Sequence, residues 1–194
     1  LRFSNPVRLL SYLIVATLYP DSAGDFVEES TFIRSVMLFL EFDDEELAAV
    51  GRSMVMSRFS EGDAILEEGN ANRALHVLRS GRIRVSRRVG DSEVSLCDLV
   101  AGQTFGELSI IEDGVASATL RAVSESEVMS MPMQSLAQFL QEHPAAASKF
   151  WRAIAVELRR RLLQTNDVVS SYFEINRNLV ENPTFREAYA MCNR

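Results

Sequence analysis

Residues 105–122 read FGELSIIEDGVASATLRA, and the fold turns on how this stretch is read. Phe105 ends a strand, Gly106 and Glu107 form a corner, the next residues make a turn of helix, and a loop leads into a strand over residues 118–122. Gly106 allows the backbone to approach a ligand with no side chain in the way. Glu107 can accept a hydroxyl proton in a charge-assisted hydrogen bond. The helical turn from Glu107 or Leu108 aims free N–H groups at an anion, and Ser117 and Ala118 add backbone donors, Ser117 a hydroxyl as well. A phosphate joined to a sugar requires such parts. Yet no Arg or Lys lies between Phe105 and Leu120, so the cradle lacks a counter-charge of its own.

Working outward, residues 55–107 alternate apolar and polar. Glu61-Gly62-Asp63, Glu68-Gly69-Asn70, Ser80-Gly81, Val89-Gly90-Asp91 and Ala101-Gly102 punctuate short strands. In Arg82-Ile83-Arg84-Val85, Ile83 and Val85 point one way and the arginines the other, a half-buried strand rather than a basic patch. Strands resume at 118–122 and 126–132. Evenly spaced short strands with glycine turns predict a mainly β domain, an eight-stranded antiparallel jelly-roll barrel.

Helical periodicity flanks the barrel. Ser4-Asn5-Pro6 starts a helix to about Leu18, and apolar spacing continues over residues 25–40. Asp43 or Asp44 caps another short helix with acidic residues in its first turn. After Pro132 a short helix ends near Pro144, and residues 145–178 form one long helix. In it Ile154, Leu158, Arg161, Thr165, Val168, Tyr172 and Ile175 recur at alternating four- and three-residue steps, a stripe suited to a partner helix. The expected organisation is an N-terminal helical extension (1–31), the barrel (32–144), a C-terminal dimerisation or lid helix (145–182) and a tail (183–194).

Composition narrows the function. The apolar share of 47% and charged share of 24% are those of a globular protein, and a net charge of −7 argues against a nucleic-acid surface. Cys97 and Cys192 read as free thiols in a reducing, cytoplasmic compartment. With His76 and His143 they do not supply the closely spaced ligands of a metal site. The run Leu9–Leu18 is too short to span a bilayer. No catalytic constellation or phosphate loop of the GxxxxGK type is present, so an enzyme is not expected.

Helices, barrel, helical corner and long helix together resemble the cyclic nucleotide-binding domain family of bacterial catabolite activators and protein kinase A regulatory subunits. The resemblance covers about Phe32 to Tyr172, carried by Gly62, Gly69, Gly81, Gly102 and Gly106. The quoted stretch is similar to the family's phosphate-binding cassette, FGE-(L/I)-x-(L/I)-(L/I)-x-x-x-x-R-(S/T/A)-A-(T/S). The resemblance implies ligand contacts from Phe105, Gly106, Glu107, Leu108, Ser109, Ser117 and Ala118, with cAMP or cGMP as ligand and no other cofactor. It also implies that Thr165 and Asn166 on the long helix close over the purine, and that the long helix pairs two copies.

The family's arginine, which pairs with the phosphate, falls at Ala116. Losing a charge-assisted contact and leaving a phosphate buried without it costs roughly one to four decades in affinity. Arg121 is the nearest replacement in sequence, but alternation sets Thr119 and Arg121 on one strand face and Leu120 and Ala122 on the other. Without a ligand, Glu107 is simply a carboxylate at the start of a helical turn. The expected protein is thus a sensor module with an altered pocket. The alternative is a constitutive dimerisation or scaffold module with a vestigial pocket, whose N-terminal helices dock an output protein.

Overall fold

The computed structural model describes residues 31–111 and 114–183. The expected helix over residues 4–18, the extension before residue 31 and the tail beyond residue 183 lie outside the described residues. The chain divides into two compact units between Ala153 and Ile154, inside the last helix.

In the first unit residues 31–35 are helical, and a 3-10 turn, Met37–Phe39, leads into helix α1, Asp44–Ser53. Asp43 is the N-cap of α1. Its side chain accepts from the N–H groups of Glu45 and Glu46, and the Glu46 carboxylate accepts from the Asp43 N–H at 2.8 Å, a complete capping box. Glu46 is buried, and Lys149 donates to both of its oxygens at 3.0 and 2.8 Å.

Eight strands follow: β1 Val55–Phe59, β2 Ala64–Leu66, β3 Ala74–Ser80, β4 Arg82–Val89, β5 Ser92–Val100, β6 Thr104–Phe105, β7 Thr119–Ala122 and β8 Ser126–Pro132. They form two antiparallel four-stranded sheets, ordered β1-β8-β3-β6 and β2-β7-β4-β5. Helix α2, Leu108–Ile111, sits between β6 and β7; α3, Met133–Glu142, follows β8; α4, Pro144–Glu181, ends the described chain.

The expected closed barrel is corrected here: the strands make two separate sheets, with β1 and β6 at the edges of one and β2 and β5 at the edges of the other. Side chains between facing sheets, not a continuous ladder, hold them together. Leu78, Ile83, Leu99, Phe105, Ala118, Leu120 and Val128 form that core. The three-residue β2 and two-residue β6 are too short to carry a ladder around a closed circumference. The mainly antiparallel β character and the long C-terminal helix stand.

Strand β3 explains the helices beside the first sheet. Its sequence ALHVLRS is nearly continuous rather than alternating, and Leu75, His76, Val77 and Leu78 are all buried. Register pairs His76 with Ser130 and Leu78 with Val128 on the face toward the second sheet. Leu75, Val77, Met129 and Met131 therefore turn to the opposite face. Beyond it lie the buried Leu47 and Val50 of α1 and Leu136 and Phe139 of α3, with Phe139 stacked on Phe42 at 5.8 Å. Strand β5 is different. It is an edge strand of nine residues, SEVSLCDLV, with Val94, Leu96 and Val100 exposed.

The second unit continues α4 from Ile154. Arg160 and Arg161 both hydrogen-bond Glu157, at 2.6 and 2.8 Å. Burial pushes the Glu157 carboxyl up, and the hydrogen bonds from Arg160 and Arg161 outweigh it, leaving the group below the ordinary carboxylate range. Arg160 and Arg161 thus form i,i+3 and i,i+4 ion pairs with Glu157. Further along, Leu162, Val168, Val169, Tyr172 and Phe173 are exposed. Among the described residues no helix is long and apolar enough to cross a membrane.

Candidate functional site

The corner begins where β6 ends. Phe105 is buried, and Gly106 takes φ +82°, the left-handed region. A Cβ at Gly106 would lie 2.5 Å from Asn72 Nδ2 and 2.8 Å from the Ala74 carbonyl oxygen. Glycine is thus required twice, by backbone conformation and by close packing. Glu107 is only 2% exposed, and its Oε2 is shut off from solvent. Within the turn, the Ser109 N–H donates to Gly106 O at 3.2 Å and the Ile110 N–H to Glu107 O at 3.1 Å. Leu108 and Ile111 are exposed, while Ser109 is buried.

A polar network backs this turn. Asn72 Nδ2 donates to Ala74 O (3.1 Å) and to Ser109 Oγ (3.2 Å), and Ser109 Oγ donates to Val115 O (3.1 Å). Since the amide nitrogen of Asn72 faces acceptors, its Oδ1 faces donors: the Ala74 N–H at 3.2 Å and His76 Nε2 at 3.0 Å. His76 therefore carries its proton on Nε2, and Nδ1 accepts from the Ser130 hydroxyl at 2.7 Å. Burial pushes the His76 imidazole down to about 4, so the ring is neutral near pH 7.

The other wall is the return strand. Ala116 is buried, with its N–H donating to Asn70 O at 2.8 Å and its carbonyl accepting from Gly69 N–H at 2.9 Å. Ser117 is exposed and Ala118 buried. Leu120 and Ala122 face the inter-sheet core and Arg121 is exposed, so the alternation expected for this strand holds. Arg121 lies opposite Arg84, whose guanidinium grips Asp98 at 2.9 and 3.1 Å. A cavity of about 340 Å³ is lined by Glu67, Glu68, Arg88, Glu93, Thr119 and Arg121.

The first unit thus brings Phe105, Gly106, Glu107, Leu108, Ser109, Ala116, Ser117 and Ala118 into one corner. Thr165 and Asn166 belong to the second unit; both are exposed, and the Thr165 hydroxyl donates to Arg161 O at 2.9 Å. Asn72, His76 and Ser130 were not foreseen as parts of the site. The signal was a histidine inside the apolar run ALHVL, a buried polar position that needs partners. Among the described residues there is no group of three or more His, Cys, Asp or Glu side chains placed to hold a metal ion.

A model of the cyclic nucleotide-binding domain matches residues 56–143, which span β1 through the end of α3 and contain the whole corner. The chain belongs to the cyclic nucleotide-binding domain family. Glutaminase 2 of Bradyrhizobium diazoefficiens is 32% identical over 149 residues, 75% of this chain and 23% of its own length. The CRP-like cAMP-activated global transcriptional regulator of Mycobacterium tuberculosis is 25% identical, over 63% of this chain and 55% of its own. The crystal structure of the Thermus thermophilus catabolite activator protein superposes with a TM-score of 0.60 at 28% identity, covering 74% of this chain and 67% of that one. The chain therefore spans about a quarter to a half of the length of the curated relatives named.

Proposed function

We propose that the corner between β6 and β7 is a cyclic nucleotide site with low affinity, in a regulatory module whose output lies on α4 or on a partner. The observation that carries this reading is the pairing of Gly106 and Glu107. A glycine with no room for a Cβ presents a buried carboxylate at the start of a helical turn, where a ribose hydroxyl can be received. Ser117, exposed across the corner, offers a hydroxyl to the phosphate. Ala116 offers no charge, and the roughly one to four decades set out above follow from that. The relative from M. tuberculosis is by its name cAMP-activated, which makes cAMP the first ligand to try and cGMP the second. Occupancy would act by favouring one packing of the helices over another, since a ligand shifts an equilibrium only by its differential affinity for the two states.

Titration of the chain and of Ala116→Arg with cAMP and cGMP by calorimetry tests the reading. Weak binding that Ala116→Arg strengthens supports it; silence from both proteins overturns it.

A second reading rests on the exposed apolar residues of α4. Leu162, Val169, Tyr172 and Phe173 recur at helical spacing, a stripe that a second copy of the helix would cover. In this reading the module dimerises constitutively and the corner is vestigial. Thr165 and Asn166 lie beside the stripe, and as ligand contacts they remain part of the first proposal.

A further inference from the structure

The corner lacks a cation at Ala116, yet one carboxylate near it is already occupied by an arginine. Glu68 sits in the turn after β2, and three hydrogen bonds fix that turn to the return strand. Gly69 N–H donates to Ala116 O at 2.9 Å, Ala116 N–H donates to Asn70 O at 2.8 Å, and Glu68 N–H donates to Thr119 Oγ1 at 3.1 Å. From there the Glu68 side chain reaches to β4. Its Oε1 accepts from Arg87 Nε at 3.2 Å and its Oε2 from the Arg88 N–H at 2.9 Å. Strand β7 lies between β2 and β4 in the sheet, and Ser86 pairs with Thr119. Arg87 is the next residue of β4 beyond that pair. The Glu68 carboxylate thus links the turn after β2 to β4, beside the start of β7.

The neighbouring arginines are placed otherwise. Arg84 is engaged by Asp98, Arg121 lies on the face away from the inter-sheet core, and Arg58 and Arg79 both meet Glu127. Arg87 is the arginine whose guanidinium bonds Glu68, and the two residues after Glu68, Gly69 and Asn70, are tied to Ala116 by backbone hydrogen bonds.

We infer that Arg87 is the cation that meets the ligand's phosphate in place of the residue missing at Ala116, and that Glu68 competes with that phosphate for it as an internal stand-in. This inference rests on the proposed cyclic nucleotide site and adds its specificity determinant. A cyclic phosphate and the Glu68 carboxylate are both acceptors for one guanidinium. Binding therefore exchanges one charge-assisted pair for another instead of creating a new one, so the net gain is small. The Arg88 N–H, first among the groups acting on Glu68, keeps that carboxyl below its ordinary range, so the competitor stays ionised at neutral pH.

The test is calorimetric titration of the full chain with cAMP and cGMP, using Glu68→Gln, Glu68→Gln/Arg87→Ala, Arg121→Ala and Ala116→Arg. Glu68→Gln is expected to tighten binding about tenfold over the unaltered chain, and adding Arg87→Ala to reverse that gain or more. Arg121→Ala should leave affinity unchanged. A purely structural role for the Glu68–Arg87 pair would never tighten binding on its removal. If Glu68→Gln with and without Arg87 binds equally, the inference is overturned while the proposed site stands. The same holds if only Ala116→Arg binds. If no variant binds either nucleotide, Ala116→Arg included, the site itself is refuted and this inference with it.

Discussion

His76 and Phe105 lie nearly parallel, with ring centroids 4.8 Å apart and planes inclined by 13°, on neighbouring strands whose register sets them opposite one another. Phe105 is the residue from which the corner departs, and His76 is tied through Asn72 to Ser109 inside the corner helix. One imidazole thus fixes both sides of the Gly106 turn, by its face and by its edge.

Replacing His76 tests that double role. His76→Phe keeps an aromatic face against Phe105 but leaves Asn72 Oδ1 and the Ser130 hydroxyl without their ring partners. We expect a loss of about 1–3 kcal/mol in urea unfolding, the cost of buried polar groups left unsatisfied. His76→Ala, which also removes the stack and leaves a cavity, should lose more, about 3–5 kcal/mol.

The same residue predicts a pH dependence. The folded state holds His76 near 4 against an ordinary value of 6.5, so the unfolded chain takes up the proton first as pH falls. The stability from the neutral ring is complete above about pH 6.5 and is lost progressively down to about pH 4. The accumulated loss is on the order of 3 kcal/mol by linkage. Urea unfolding between pH 7 and 4 should show this slope, and His76→Phe should flatten it.

Gly106→Ala should disturb the corner without touching its charges. A side chain at φ +82° costs about 1–3 kcal/mol, and the new Cβ would crowd Asn72 and the Ala74 carbonyl. We expect at least about 2 kcal/mol of destabilisation by thermal or urea unfolding. Gly62→Ala makes a useful comparison: its φ is +90° but nothing lies within 4 Å of the added Cβ, so only the conformational cost should appear.

Lys149→Met would leave the buried Glu46 carboxylate with its capping bond to the Asp43 N–H but no cation. Because the Lys149 side chain is 29% exposed, water offsets part of the penalty, and a loss of about 1–3 kcal/mol is expected. Glu46→Gln/Lys149→Met should recover part of it, as a double-mutant cycle would measure.

For α4, Leu162→Glu with Val169→Glu should shift any dimer toward monomer in sedimentation, since both side chains lie on the exposed apolar stripe. An unchanged sedimentation coefficient across the concentration range would remove the second functional reading.

Much of the fold was legible because it rests on local rules. Asp43 or Asp44 ahead of an acidic first turn marks a helix start, and Asp43 is the cap. Arg82, Ile83, Arg84 and Val85 alternate as the strand period requires, with Ile83 buried and both arginines exposed. Closure was not legible: glycine turns count strands but say nothing about which edges pair, and the chain forms two sheets. The motif names Phe105 to Ser109 and Ala116 to Ala118, which the fold brings together at the corner between β6 and β7. The network behind them was not legible, because Ser130 and Ser109 reach His76 and Asn72 from distant parts of the chain and have no spacing of their own. Glu68 was hidden for another reason. A glutamate in a Glu-Gly-Asn turn looks solvated, and only the register of three strands reveals that it reaches Arg87.

Strand β5 has a consequence for handling as well as for structure. Its outer edge has no neighbouring strand among the described residues, and Val94, Leu96 and Val100 along it are exposed. Such an edge is a template onto which another chain can add a strand. Glu93 and Asp98 are the charged residues of that strand, and charge is what interrupts such a template. Asp98 is also the partner of Arg84. Neutralising it would thus strip an ionic lock and open an edge at once, and slow self-templated aggregation would accompany the loss of one surface contact.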